Sequence, residues 1–273
     1  MPKLEPMSAL PVVTLHQWQP ARDPRDNLEE IRGVVQGALA AGSNLVVFPE
    51  YSSSFAPGGP SADSQGESLK GEWVAAVRLL SHETGVTIVV GCLRAEPGEV
   101  KLRNTMLALS QGEVVARADK LHLYDAFGGR ESEAVLAGKI DSPQLFSWEG
   151  LRIGMMACYD LRFPEVTRRL VDAGATAIIV PAQWASGEHK AAHWDALLQA
   201  RAIEGQVFVI AVDQPAPHSV GFSQVIDPWG RSILRLGEGT ETSRVGVDRR
   251  VIDEVRLANP MAQARRFRVI QDD

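Results

Sequence analysis

Cys158 lies in the segment MMACYDLRFPE, residues 155–165, and its surroundings suit a thiol that attacks rather than one that packs. LRIGMM reads as a buried strand and Pro164 with Glu165 as the first turn of a helix, so the thiol falls on the connection between them. At a strand-to-helix turn, backbone N–H groups face a developing oxyanion and the helix dipole favours negative charge. Cysteine is also among the most buried residue types, so inert packing is the competing reading. Cys92 ends a strand too, but GCLRAEPGEV runs on into a polar loop without a helix start, and packing is the reading there.

A thiol needs a base. Papain-like chemistry uses histidine, which brings His122, His189 and His193 into question. A phosphatase would place arginine six residues after the cysteine; here Arg162 comes four after and position 164 is proline. Arg162 is read instead as a structural residue pairing with a carboxylate near the site. Glu50 follows the apolar run NLVVFP and should sit at the carboxyl edge of a buried strand, where sites in α/β sheets gather. On the residues alone it stands equally well as a solvated loop carboxylate. Lys120, closing VVARADK, and Glu131, in GGRESE, read by default as surface charges. His122 alternates with Leu121 and Leu123 and reads as a structural histidine. Trp184 and His193, in QWASGEHKAAHW, follow the strand that ends at Pro181; either lines a site or packs, and Trp184 is placed near the pocket.

The elements that position these residues follow from periodicity. Asp26 and Glu29 read as an N-cap and its N3 partner, with Leu28, Ile31, Val35 and Ala38 at helical spacing and Gly42 as the stop. A second helix is expected from Ser68 to Thr84, then the strand VTIVVG and a hairpin turning at Ser110 to Gly112. After Cys158 come a helix to Ala173-Gly174, the strand TAIIV, a helix from Ala191 to Glu204, and the strand QVFVIAV. The strands SQVID and SILRL around DPWG, and SRVGVD, complete the sheets; NPMAQARRFRVIQDD reads as an extended tail. AAGSNLVVFPE at 40–50 and DAGATAIIVPA at 172–182 share one order of alanine-glycine stop, buried strand and proline. A duplicated unit of this kind buries its faces best as two sheets packed together under outer helices, which predicts an α/β chain folded as a four-layer αββα sandwich of mixed sheets with an internal pseudo-two-fold repeat. The repeat is asymmetric where chemistry is concerned: Glu50 follows the first proline and Ala182 the second.

Composition bounds the remainder. With 273 residues, 45% of them hydrophobic, the chain can bury a large core as a single domain, with its core at about 9–257 and a tail at 258–273. A formal net charge of -6 leaves no basic footprint for nucleic acid. MPKLEPMSALPVV lacks a signal-peptide pattern and no apolar run approaches a membrane span, so a cytoplasmic location is expected. Two cysteines allow neither a disulfide framework nor a metal cluster.

Taken together, LVVFPE, RNTMLALSQGEVVARADKLHL, ACYDLRFPE, HWDALLQARAIEGQVFVIAV and DPWG occur in an order that resembles the nitrilase, or carbon-nitrogen hydrolase, superfamily. The resemblance spans about Val12 to Asp248. It implies Glu50 as general base, Lys120 as transition-state stabiliser and Cys158 as nucleophile, with Glu131 as a second acid because Gly138 follows it by seven residues. It also implies the αββα fold, pairing of protomers into an eight-layer homodimer, and a small-molecule amide as partner. ACYDLRFPE is most similar to the omega-amidase and deaminated-glutathione-amidase branch. Two departures are Phe222 in GFS, where related chains often carry histidine, and Asp213, where they often carry asparagine; both are expected to alter the pocket.

The reaction so implied is hydrolysis of a linear amide through a thioester on Cys158, with the oxyanion held by Lys120 and the backbone N–H of Tyr159, and with no metal or organic cofactor required. Glutamate at its ordinary pKa taking a thiol's proton in water is uphill by roughly 5 to 6 kcal/mol, so the site must help. N-carbamoyl hydrolysis is the near alternative. A non-catalytic binding protein or a thiol redox sensor on Cys158 are alternatives of another class, against which the joint presence of Glu50, Lys120 and Cys158 argues. Lipoprotein acyl transfer is disfavoured by the lack of membrane segments.

Overall fold

The computed structural model describes residues 10–270; residues 1–9, where no leader was read, and 271–273, the end of the expected tail, lie outside it. The first half of the chain runs β1 (Val12–Gln17), α1 (Pro24–Ala40), β2 (Leu45–Val47), α2 (Glu72–Thr84), β3 (Thr87–Arg94), β4 (Arg103–Ser110) and β5 (Glu113–Asp119). The second runs β6 (Phe146–Trp148), β7 (Leu151–Met155), α3 (Pro164–Asp172), β8 (Ala177–Pro181), α4 (Lys190–Gly205), β9 (Phe208–Val212), β10 (Gln224–Ile226) and β11 (Ser232–Arg235). β12 (Glu241–Gly246), α5 (Arg250–Ala258) and α6 (Met261–Ala264) follow.

Two six-stranded sheets result, ordered β12-β1-β2-β3-β4-β5 and β11-β10-β9-β8-β7-β6. In the first, β1, β2 and β3 are parallel and β4 and β5 antiparallel; in the second, β7, β8 and β9 are parallel and β10 is antiparallel to both its neighbours. Thus β1-α1-β2-α2-β3-β4-β5 and β7-α3-β8-α4-β9-β10-β11 are two copies of one unit. The central parallel strand of each copy, β2 (LVV) and β8 (AIIVP), is short, apolar and buried throughout, as a strand covered on both faces must be. One core lies between the sheets, with Leu15, Val47, Ile153, Ile179, Phe208 and Ile210 among its members. A second packs α1 and α2 on the first sheet through Ile31, Val35, Val77 and Leu80, and a third packs α3 and α4 on the other through Leu170, Trp194 and Leu198. This is the αββα sandwich.

Several boundaries differ from expectation. α1 begins at Pro24, capped by Asp23, whose side chain accepts from the Arg25 N–H, rather than at Asp26. Proline at the first helical position gives up an N–H that needs no partner there. α2 starts at Glu72, where Glu67 reaches forward to accept from the N–H groups of Trp73 and Val74. β1, β6 and α5 were not anticipated, and the tail is not simply extended: α6 interrupts it and Arg265 pairs with Asp172 on α3.

Candidate active site

Glu50 leaves β2 one residue beyond Pro49 and is fully buried, as a chain stepping off a central parallel strand dictates. Gln214 donates to its main-chain carbonyl at 3.0 Å. β3 passes so close that a Cβ on Gly91 would lie 2.8 Å from the Tyr51 nitrogen and 2.9 Å from the Glu50 Cα, so that position must be glycine for the turn to sit where it does. Lys120 follows β5, its N–H donating to the Asn104 carbonyl at 2.8 Å. Just before it, Arg94 ties β3 to β5, donating to Asp119 at 2.8 Å and to Thr105 at 3.1 Å. Glu131 opens a short 3-10 turn, Glu131–Glu133, where it accepts from the Tyr124 N–H at 2.8 Å and the Tyr51 hydroxyl at 2.8 Å.

These elements converge. Lys120 Nζ stands 3.0 Å from Glu50 Oε1 and 2.8 Å from Glu131 Oε2. Asn104 Nδ2 donates to Glu50 at 2.6 Å and lies 3.1 Å from Glu131 and 3.0 Å from the Tyr51 oxygen. The other oxygen of Glu50 accepts from the Gln183 N–H at 2.7 Å. The same residue's carbonyl accepts from Cys158 Sγ at 3.5 Å, so one stretch of main chain holds Glu50 and Cys158 together.

Cys158 begins a 3-10 turn, Cys158–Arg162, that leads into α3, and its φ of 42° is a left-handed conformation unusual for a side-chain-bearing residue. The first bond inside that turn is from Asp160 N–H to the Ala157 carbonyl, so the N–H groups of Cys158 and Tyr159 precede the bonded ladder. Asp160 is anchored by the N–H and ring of His122 at 2.9 and 2.8 Å, and that ring stacks on Phe163; His122 is a structural residue.

Glu50, Lys120, Glu131, Cys158, Tyr159 and Trp184 all open onto one cavity of about 880 Å³. Trp184 is at once cavity wall and core: its indole N–H donates to the Lys190 carbonyl at 3.0 Å and its ring packs on Trp194. His193 is exposed on α4 and contributes nothing to the cavity wall. Arg162 corrects its expectation. It has no carboxylate partner among the described residues; its guanidinium lies 4.7 Å from the Trp184 ring on the cavity wall, with Nε buried and unbonded. Asp213 and Phe222 do not themselves line the cavity, though Asp213 holds the main chain of Trp184, which does. Asp213 is buried behind it, accepting from the N–H groups of Trp184 at 2.7 Å and Gly221 at 3.0 Å, while Phe222 lies under Arg235.

Burial dominates the electrostatics. It pushes the Glu50 carboxyl up, with Glu131 adding to the rise and Lys120 opposing it. Burial also pushes the Cys158 thiol well up, reinforced by the Glu50 carboxylate and opposed by Lys120. Lys120 does favour the thiolate, but burial and Glu50 outweigh it, so the direction is toward a protonated thiol. For Glu131 burial acts upward but is outweighed by Lys120 and by hydrogen bonds from the Tyr124 N–H and Asn104, which hold it below its ordinary value. Burial likewise disfavours the Lys120 ammonium, yet the two glutamates outweigh it and raise its pKa.

The family model for carbon-nitrogen hydrolases matches residues 12–257. The chain belongs to the carbon-nitrogen hydrolase family. Among the relatives of this hydrolase, the deaminated glutathione amidase of Escherichia coli O157:H7 is 36% identical over 73% of this chain and 75% of its own. A solved carbon-nitrogen hydrolase superfamily protein of Xanthomonas campestris, with an arsenic adduct in its active site, superposes with a TM-score of 0.85 at 27% identity, covering 97% of this chain and 100% of that one. An amidase of Nesterenkonia sp. AN1, with the acetamide moiety of fluoroacetamide added covalently at its active-site cysteine, gives a TM-score of 0.77 at 25% identity over 95% and 98% of the two chains. The protein is thus an enzyme of the carbon-nitrogen hydrolase, amidase type.

Sequence reasoning did not single out Asn104, Tyr51, Gln183 or Lys190. Asn104 carries a faint signal as the one amide side chain within the buried strand RNTMLALS. Gln183 carries none, because its main chain does the work.

Proposed function

We propose that this carbon-nitrogen hydrolase is an amidase that releases ammonia from small linear amides bearing a carboxylate, through a thioester on Cys158. The observation that carries the reading is the Glu50, Lys120 and Glu131 cluster sharing a cavity with the Cys158 thiol. Cys158 Sγ attacks the amide carbon while its proton passes to Glu50, in one concerted step that never populates a buried thiolate beside a carboxylate. The C=O electrons move onto oxygen, which meets the Lys120 ammonium and the Tyr159 N–H; a donor of this kind typically contributes about 3 to 4 kcal/mol. The C–N bond breaks as Glu50 returns the proton to the leaving nitrogen, and ammonia departs. Water, giving its proton to Glu50, then adds to the thioester; the C–S bond breaks, and the proton restores the thiol. These acid–base and nucleophilic groups suffice without metal or organic cofactor.

The carboxylate is assigned to Arg162, a cation on the cavity wall with no acidic partner among the described residues and a buried, unbonded Nε. With this reading go a cytoplasmic enzyme and assembly as a homodimer or a higher homo-oligomer. Among the described residues no helix is long and apolar enough to cross a membrane, and both cysteines are free thiols.

Ammonia release from a panel of omega-amides and N-carbamoyl compounds tests this, with Cys158→Ala and Glu50→Gln beside wild type. Turnover of omega-amides that both substitutions abolish, while circular dichroism stays unchanged, is expected. No turnover and no acyl adduct on Cys158 by intact mass would overturn it.

A further inference from the structure

A second cation faces the same cavity and the chemistry above makes no use of it. Lys190 opens α4, is 5% exposed, and lines the cavity that holds Cys158. An ammonium has three N–H donors. Among the described residues this one finds a single acceptor, the Tyr124 hydroxyl at 2.9 Å. Otherwise it meets ring faces: Phe127 at 3.9 Å, Tyr124 at 4.9 Å and Trp184 at 6.0 Å. No carboxylate lies within salt-bridge distance of it among the described residues.

Its placement is unfavourable for the fold on three counts. It is a cation at the N-terminus of a sixteen-residue helix, where the dipole repels positive charge. It is desolvated, and Arg162 lies close enough to disfavour its charge further, so that burial first and Arg162 second lower its pKa. Both cations rest on the rings of Trp184 and Phe127, which places them on one wall of the cavity. Glu50, Glu131, Glu133 and Glu188 line the same cavity, but none lies within salt-bridge distance of either cation; two like charges held together on one wall with spare donors make a receptor for negative charge. A single carboxylate neutralises only one of them.

Resting on the amidase reading, we propose that Lys190 is a specificity-determining residue that binds a second anionic group on the substrate, so that the preferred amides are dicarboxylates rather than monocarboxylates. Arg162 takes one carboxylate and Lys190 the other, the latter turning its two free N–H donors from the rings of Phe127 and Trp184 toward the bound oxygen atoms.

The test compares wild type with Lys190→Met, which keeps the aliphatic stem, and Lys190→Arg, which keeps the charge. Substrates are matched linear amides carrying no, one or two carboxylates. Wild type should prefer the dicarboxylate, and Lys190→Met should lower the ratio of kcat/KM for dicarboxylate over monocarboxylate at least tenfold, mainly through KM, with Lys190→Arg restoring most of it. A ratio that Lys190→Met leaves intact overturns the proposal, as does an equal loss on all three amides. Calorimetry supplies an arm independent of turnover. Wild type should bind glutarate at least tenfold more tightly than butyrate, and Lys190→Met should lose that difference. Equal binding of the two acids by wild type overturns the role of Lys190. If no amide is turned over, the amidase reading falls while the glutarate measurement still decides this one.

Discussion

Glu50, Glu131 and Lys120 are buried side by side, two carboxyl groups to one ammonium, and under the proposed mechanism this sets how Glu50 behaves as base. Because the Glu131 carboxylate adds to the rise in the Glu50 pKa, removing that charge should lower it. The acid limb of kcat/KM, where Glu50 becomes protonated and stops accepting, should then lie above the ordinary carboxylate range in wild type and shift to lower pH in Glu131→Gln. Turnover should also fall, since Lys120 loses a partner at 2.8 Å. A limb that stays put, read from pH–rate profiles of the two proteins, would contradict the coupling. At this scale the residues alone marked Glu50, Lys120 and Cys158 as groups at strand ends, and only the family resemblance singled them out for chemistry. It could not disclose Asn104 or the true surroundings of Arg162, because a side chain's partners belong to other segments brought close only by folding.

Strands and turns fix where those groups sit. Gly91, on the middle of β3, is where this shows most directly, since an added methyl would strike backbone atoms of residues 50 and 51 rather than a yielding side chain. Gly91→Ala should cost about 1 to 3 kcal/mol, as overpacking does, and displace Glu50 enough to lower kcat by tenfold or more. Denaturant titration and steady-state kinetics check both, and a variant of full activity would show that the turn tolerates the shift. Period and punctuation revealed most of the elements. They concealed β6, three residues long, and α5, whose Val251, Ile252 and Val255 recur at helical spacing over only nine residues, too short a run to stand out. The start of α1 was misplaced because Asp26 and Glu29 imitate a capping pair one turn inside the helix that Asp23 and Pro24 begin.

For the molecule as a whole, buried titratable groups make stability depend on pH in opposite directions. His16 on β1, packed against Trp18 and Phe48, has its pKa lowered by burial to about 4. Glu30, 3.2 Å away, is half exposed and its pull is screened. A histidine depressed in the folded state contributes stability that is complete above its unfolded value near 6.5 and is lost as pH falls toward 4. The full effect approaches about 3 kcal/mol. Glu50 and Asp213, both raised by burial, act the other way, their contributions being lost as pH rises. His16→Gln isolates the first term: the difference in unfolding free energy between wild type and variant should shrink from pH 6.5 to 4, and a constant difference would exclude it. At this scale the duplicated strand-and-proline pattern was enough to give two layers of sheet, because neither copy can cover both of its faces alone.

One of those copies has an acid after its proline and the other has Ala182, yet the plainer copy reaches the site through the peptide group of Gln183, which binds both Glu50 and Cys158. Its side chain is committed elsewhere, to the His218 carbonyl and the Ser219 hydroxyl. Nineteen of the twenty standard amino acids would offer the same amide hydrogen to Glu50, and all twenty the same oxygen to the thiol. That half of the machinery is therefore almost immune to point mutation at its own codon, and drift there is free to reshape the neighbouring loop while the reacting groups stay in register.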